Sequence, residues 1–353
     1  DLSDIHSVAS VFVSRLDTEI DADLAQGRFA LPVMKATVLG NALDGRLEAR
    51  AAAGAKPALK GDLKASGPDL PALLAVIGGL QGGESGLAGL AKSLSGAQEK
   101  SFTLDTTFDA DMAKGRVALP SLAANGLGLG ISGSFQATDF GGANGTVDGK
   151  LVVDGKSPGA LLKALGQPEL AQSVRSLGLD AGIKGTTSAL TLAPFKATAE
   201  VNGPDKGKPV AVTLGAGSAQ ANLDKETLNV RDLTLTGLGL NVKGTLDATQ
   251  IKTAPAYSGQ LNVAPFDLKR LLTSLGKAPG PMADAKALTN VGLDTVFKGT
   301  STSLALSNLN VKLDDTALKG NVDVRNFDGP DLAFRLDIDS LNADRYLAPK
   351  EKG

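Results

Sequence analysis

Apolar residues in this chain mostly fall at every second position, and one stretch shows how the pattern is used. In Gly237–Gly276, Leu238, Leu240 and Val242 alternate with small or polar neighbours, the period of a strand buried on one face. A second alternating piece (Leu246, Ala248) follows Gly244, and a third, Gly259–Val263, ends at Pro265. The period then changes. Leu268, Leu271, Leu272 and Leu275 recur at i, i+3, i+4 and i+7, which is one face of a helix. Pro265 suits the start of that helix and Gly276 its end. The stretch predicts three strands and a short helix.

Versions of this unit recur. Ile20–Pro32 and Phe108–Pro120 share nine of thirteen residues at an offset of 88, and the same offset carries Gly45 to Gly133 and Gly61 to Gly149. Gly126–Leu129 matches Gly237–Leu240 at an offset of 111, so the third unit is longer by about one hairpin, expected within Asn202–Asn229. A junction glycine followed by a second strand appears four times. The distances are 16, 16, 15 and 14 residues, from Gly45 to Gly61, Gly133 to Gly149, Gly244 to Gly259 and Gly320 to Phe334. The expected units are 1–100, 101–195, 196–290 and 291–353, the last opening a fourth copy.

Helices are expected near 71–80, 158–177 and 266–275, with Leu73, Leu74, Ile77 and Leu80 on one face and Leu87, Leu90, Ala91 and Leu94 on another. In the second unit Leu161, Leu162 and Leu165 are followed, after Pro168, by Leu170, Val174 and Leu177. Elsewhere strand follows strand, with hairpin signals at Asp224-Lys225-Glu226 and Asp314-Asp315. Apolar parity flips at defined points: Leu304 and Leu306 are even, and Leu309, Val311 and Leu313 odd, across Ser307-Asn308. Each flip marks a turn or bulge that keeps one face apolar.

Such a face has to be covered. The helices are too few and too short for a sheet this long. The expected fold is therefore mainly β: an elongated repeat of antiparallel strands curled into an open apolar groove, with short amphipathic helices between units. At 353 residues the chain exceeds one ordinary core, which agrees with a repeat array.

Composition narrows the chemistry. A net charge of −2 gives no basic field, so nucleic acid is not an expected partner. The absence of Cys removes disulfides, thiolate catalysis and Cys-type metal sites. His6 is the sole histidine and sits in a polar stretch, so no acid–base set converges on it. Asp21/Asp23 and Asp109/Asp111 resemble metal-binding pairs but lack the glycine and glutamate of a calcium loop, and alternation places them on a polar face. Asp337 and Asp339 read the same way. Gly126–Gly130 lacks phosphate-loop spacing and reads as strand. No catalytic residue, metal or cofactor is expected.

The longest apolar run, Leu73–Leu80, is far shorter than the ~20 residues that span a bilayer. The chain opens on Asp1, and it reads as a segment of something longer whose anchor lies outside it.

Within Ala264–Pro349 an ordered set of pieces resembles the AsmA family of Gram-negative envelope proteins. They are Pro265–Gly276, Ala287-Leu288 before a strand, Leu313–Gly320 and Leu341–Pro349, the last forming the family's end motif. The resemblance implies a periplasmic protein anchored to the inner membrane by a segment absent from this chain. Its fold would be that of bridge-type lipid-transfer proteins built from β-groove modules. The implied function is non-enzymatic binding or transfer of phospholipid between inner and outer membrane. The alternative is an envelope scaffold that binds outer-membrane or periplasmic proteins by strand addition.

On either basis the candidate lipid-contacting residues are the apolar register of the central and C-terminal strands. They are Leu228, Val230, Leu238, Leu240, Val242, Leu304, Leu306, Leu309, Val311, Leu313, Val322, Val324, Phe334, Leu336 and Ile338. At ~0.8 kcal/mol per buried CH₂, one long acyl chain gains on the order of 12 kcal/mol on such a surface.

Overall fold

A computed structural model describes residues 13–349, apart from 24, 39, 52–53, 81–85, 98, 140–144, 165, 187 and 204–207. His6 lies outside the described residues, as do the side chains of Ile77, Leu80, Leu87 and Leu90. The chain divides into two compact units, Asp1–Thr187 and Ser188–Gly353. Both are mainly β, and within each unit neighbouring strands pair antiparallel.

The first unit contains β1 (Val13–Asp23), β2 (Arg28–Val38), β3 (Asn41–Arg50) and β4 (Ala58–Gly67), followed by helices α1 (Leu70–Leu80) and α2 (Gly86–Leu94). Next come β5 (Phe102–Asp111), β6 (Arg116–Gly126), β7 (Leu129–Thr138) and β8 (Thr146–Gly155), helices α3 (Gly159–Ala164) and α4 (Pro168–Ser173), and β9 (Val174–Thr186). The second unit contains β10 (Ala189–Asn202), β11 (Pro209–Ala216), β12 (Ser218–Asn222), β13 (Thr227–Gly237), β14 (Leu240–Thr249) and β15 (Ala256–Phe266). Helix α5 (Leu268–Ser274), β16 (Val291–Thr300), β17 (Ser303–Leu313), β18 (Thr316–Arg325), β19 (Asp331–Ile338) and a 3-10 turn (Ala343–Tyr346) complete it.

The repeat has a physical signature at its junction glycines. Each stands opposite a strand that holds one extra residue. Leu31 pairs with Leu47 but Met34 with Gly45, and Leu119 with Phe135 but Leu122 with Gly133. Likewise Val230 pairs with Leu246 but Leu233 with Gly244, and Leu306 with Val322 but Leu309 with Gly320. These are β-bulges, and they account for the parity flips: the extra residue leaves the ladder and the apolar side chains beyond it return to the same face.

At all four glycines a methyl group would collide with a carbonyl oxygen of the next strand, that of Asp62, Lys150, Gln260 or Arg335. Only glycine allows that approach. The bulge carbonyl is also captured each time. Thr18, Thr106 and Thr295 donate their hydroxyls to the carbonyls of Val33 (2.8 Å), Ser121 (2.9 Å) and Ser307 (3.1 Å). At the remaining bulge the backbone N–H of Gly217 donates to Arg231 (3.0 Å). A backbone acceptor that leaves the ladder thus keeps a partner.

Aligned on these bulges, the copies are β1–β4, β5–β8, β11/β12 with β13–β15, and β16–β19. The two added strands are β9 and β10, one strand pair ahead of the expected Asn202–Asn229. That range holds the counterpart of β5, interrupted at Gly217 into β11 and β12. Two further expectations are corrected. Val174 and Leu177 belong to β9, not to a helix, and Leu177 faces Gly155 across the ladder. Helix α5 starts at Leu268, two residues later than expected: Asp267 is its cap, accepting from the Arg270 N–H (2.7 Å), and Pro265 lies inside the end of β15.

Gly126–Gly130 is likewise not continuous strand. Leu127 and Gly128 form a two-residue hairpin turn with φ of 57° and 77°. Leu238 and Gly239 repeat it at 54° and 82°. Such turns match strand twist but force a leucine into the left-handed region. Burial offsets that strain at Leu127, which is 6% exposed and packs with Leu94 and Ala97.

Gly133→Ala should lower stability by about 2–3 kcal/mol, because the backbone on both sides of the collision is fixed by ladder bonds. Gly89→Ala, in the exposed interior of α2 with open space around it, should instead raise stability by about 0.5–1 kcal/mol. Urea titrations of the two variants check the pair.

Candidate functional site

In the second unit the ladder registers show which side chains share a face. One row runs Val230, Leu246, Gly259, Phe297, Leu306, Val322, Phe334. Another runs Leu235, Val242, Val263, Leu293, Val311, Leu318, Ile338. Leu228, Leu304 and Val324 lie in the row through Tyr257. Leu309 and Leu336 lie with Gly244 and Gly320, and Leu240 and Leu313 lie one row beyond Val242 and Val311. Fourteen of the fifteen residues picked from the sequence therefore stand on one face of β13–β19.

The exception is Leu238. It occupies the β13–β14 turn, because the positive φ that the turn requires takes it out of the alternation. Tyr257, Leu261, Val263, Leu293, Phe297 and Leu318 were not picked and complete the same face. Their alternation carries the same signal, and β15 and β16 link the halves that were picked. The aromatic rings lie over glycines: Phe297 against Gly259, and Tyr257 against Gly299. The two ring centroids are 6.3 Å apart.

This face is only partly covered. Val230 and Leu309 are buried, most of the others are half-buried, and Phe334 and Ile338 are 64% and 47% exposed. On the opposite, polar face a cleft of about 490 Å³ is lined by Asp247, Lys298, Asp323 and Arg325, whose side chains alternate with those of Tyr257, Leu304 and Val324.

In the first unit the equivalent face is roofed. Helices α1, α2 and α3 form with the sheet a partly open apolar cavity of about 620 Å³. Leu43, Leu63, Phe102, Leu104 and Ile131 line it from the strands, and Leu70, Leu73, Leu74, Leu94 and Leu161 from the helices. Among the described residues its lining contains no charged side chain. The polar groups are Thr103 and Asn125, and the Asn125 amide donates to the Thr103 hydroxyl (3.3 Å). A volume of this order holds a small apolar ligand. The sequence reading placed no site residue here. Its signal was available in the 73–74 and 161–162 leucine pairs that repeat at an offset of 88.

The carboxylate pairs are hairpin stitches. Asp21 and Asp109 bind Arg28 and Arg116 at 2.7 Å, while Asp23 and Asp111 accept turn N–H groups from Gln26 and Lys114. The Lys114 side chain holds the Asp111 carboxyl below its ordinary value. Asp339 is also lowered, by the Ala317 N–H first and the Ser340 N–H second. Among the described residues no group of three or more His, Cys, Asp or Glu side chains is placed to hold a metal.

Asp314, which looked like a plain turn residue, organises the C-terminal end of the second unit. It is 4% exposed and accepts the N–H groups of Leu288 (2.9 Å), Thr289 (3.1 Å) and Asn290 (3.1 Å) and the Tyr346 hydroxyl (2.9 Å). Arg345 beside it bridges Asp284 (2.6 Å) and Asp315 (2.8 Å). Burial, then the Asp314 carboxylate, pushes the Tyr346 hydroxyl up. The Lys286 N–H first, then Arg345, holds Asp284 down. These residues thus meet in one clamp, which ties the 3-10 turn to the β17–β18 turn.

Among the described residues no helix is long and apolar enough to cross a membrane. No protein family, curated protein or solved structure matches the chain.

Tyr346→Phe should cost about 1–2 kcal/mol, and Asp314→Ala more, because it strands three N–H donors. Asp284 has a folded pKa below its unfolded one. Its contribution is complete above the ordinary carboxylate value near ~4 and is lost as pH falls through the lowered value. Amide exchange at Leu288–Asn290 against pH follows both effects.

Proposed function

We propose that the chain is a non-enzymatic lipid-binding protein whose apolar sheet face takes up phospholipid acyl chains. The observation that carries this reading is the face of β13–β19. Seven strands contribute Leu, Val and aromatic side chains in continuous rows, yet the described residues leave most of them partly exposed. A protein core buries such rows, whereas a surface that accepts an apolar ligand leaves them accessible.

Leu and Val make no directional bonds, so an acyl chain on this face has many near-equal positions and can move along it. The roofed cavity of the first unit suits a single apolar chain. The AsmA-like pieces in Ala264–Pro349 add the setting. In this reading the protein works in the periplasm, held to the inner membrane by a segment outside this chain, and passes phospholipid towards the outer membrane.

Native mass spectrometry with solvent extraction of the purified protein tests the reading. Co-purifying phospholipid is expected. Bound peptide without lipid would favour the scaffold alternative instead. Leu240→Glu and Val311→Glu sharpen the result, since each puts a carboxylate among acyl chains. Bound lipid should fall several-fold while the melting temperature stays nearly unchanged. Unfolding of both variants would mean that these residues are ordinary core.

A further inference from the structure

We propose that β19 of one copy takes up β1 of a second copy, in the register by which β4 holds β5. Among the described residues β1 is paired only with β2 and β19 only with β18, so each has one edge without a partner strand among those residues. An open edge is a template for another strand. What distinguishes these two edges is that the repeat already shows their partners. β1 is the counterpart of β5, related by the offset of 88, and β19 is the counterpart of β4 and β15. In the interior of the repeat β4 pairs with β5 and β15 with β16, both antiparallel.

The register follows from equivalent positions. Gly61 faces Phe108, and their counterparts are Phe334 and Ile20. Leu59 faces Ala110 and Ala65 faces Leu104, which sets Leu332 opposite Ala22 and Ile338 opposite Leu16. Of the large apolar side chains among the described residues, the four most exposed are Ile20 (66%), Phe334 (64%), Leu16 (62%) and Leu332 (59%). All four lie on these two strands, and this docking covers every one.

At the interior junctions the same position is filled by a ring lying over a glycine: Phe108 over Gly61 and Phe297 over Gly259. Here the ring is on the other strand, Phe334, and an aliphatic side chain, Ile20, faces it. An aromatic–β-branched cross-strand pair of that kind is favourable. On the polar face Arg335 meets Glu19 and Asp339 meets Arg15, while Asp337 meets Asp17 and Asp331 meets Asp23. These charges offset one another and leave the apolar face to drive association. The contact is head-to-tail, so successive copies continue the ladder of one into the next.

The chain has no Cys, which permits a direct test. Glu19→Cys and Arg335→Cys are made in separate proteins, and each is oxidised alone and in an equimolar mixture. Opposed residues of an antiparallel pair lie within disulfide reach. The mixture should give several-fold more linked dimer than either variant alone. Replacing Arg335→Cys by Ala333→Cys, two residues out of register, should remove most of that excess. Adding Phe334→Lys to the Arg335→Cys protein should remove it too without changing the melting temperature, because the side chain is exposed. Equal dimer in the mixture and the single variants, no dimer at all, or equal yield from Ala333→Cys would each overturn the proposal.

Discussion

An extra residue in a strand turns every side chain beyond it to the opposite face unless the backbone takes that residue out of the ladder. This chain carries such an insertion in β2, β6, β13 and β17, and each time the sequence shifts its apolar parity by one at the same point. The two changes cancel only if the bulge is held in place. Its carbonyl is bonded by a threonine hydroxyl or by the Gly217 N–H, and a glycine opposite lets the neighbouring backbone come close. Without that arrangement the apolar rows of β13–β19 would break in the middle of the sheet.

Continuity of the rows gives the two units different characters. In the first, α1, α2 and α3 pack over the apolar face and leave a partly open cavity beside the cluster of Leu94, Ala97 and Leu127. In the second, α5 is only seven residues long, and the face is left largely accessible. The same strand pattern thus yields a helix-covered cavity in one unit and a partly exposed face in the other. The polar face carries exposed cross-strand ion pairs such as Arg46–Asp62 and Lys64–Asp105, which contribute little to stability and keep that side in water.

Much of this was legible because it rests on local alternation. The strands, the bulge at Ser307-Asn308, the junction glycines and fourteen of the lining residues follow from period-two reading and repeat spacing. What escaped depends on contacts between residues far apart in sequence. Leu127 and Leu238 look like strand residues, and only the backbone conformation of a two-residue turn removes them. Val174 and Leu177 fit a helical period by coincidence. Asp314 reads as a turn residue, and its four donors come from segments 24 to 32 residues away. The cavity forms only where three helices meet the sheet, which no single stretch of sequence displays.

The central claim is that acyl chains lie on the apolar face and follow it across the bulge. The most direct measurement places single cysteines, one per protein, at positions 304 to 312 of β17. Each carries a fluorophore, and quenching by phospholipid spin-labelled in the acyl chain is read. The account predicts strong quenching at Leu304, Leu306, Leu309 and Val311 and weak quenching at Ala305, Asn310 and Lys312, with the strong positions changing parity across Ser307-Asn308. Uniform quenching along the strand, or an alternation that keeps one parity throughout, would contradict it.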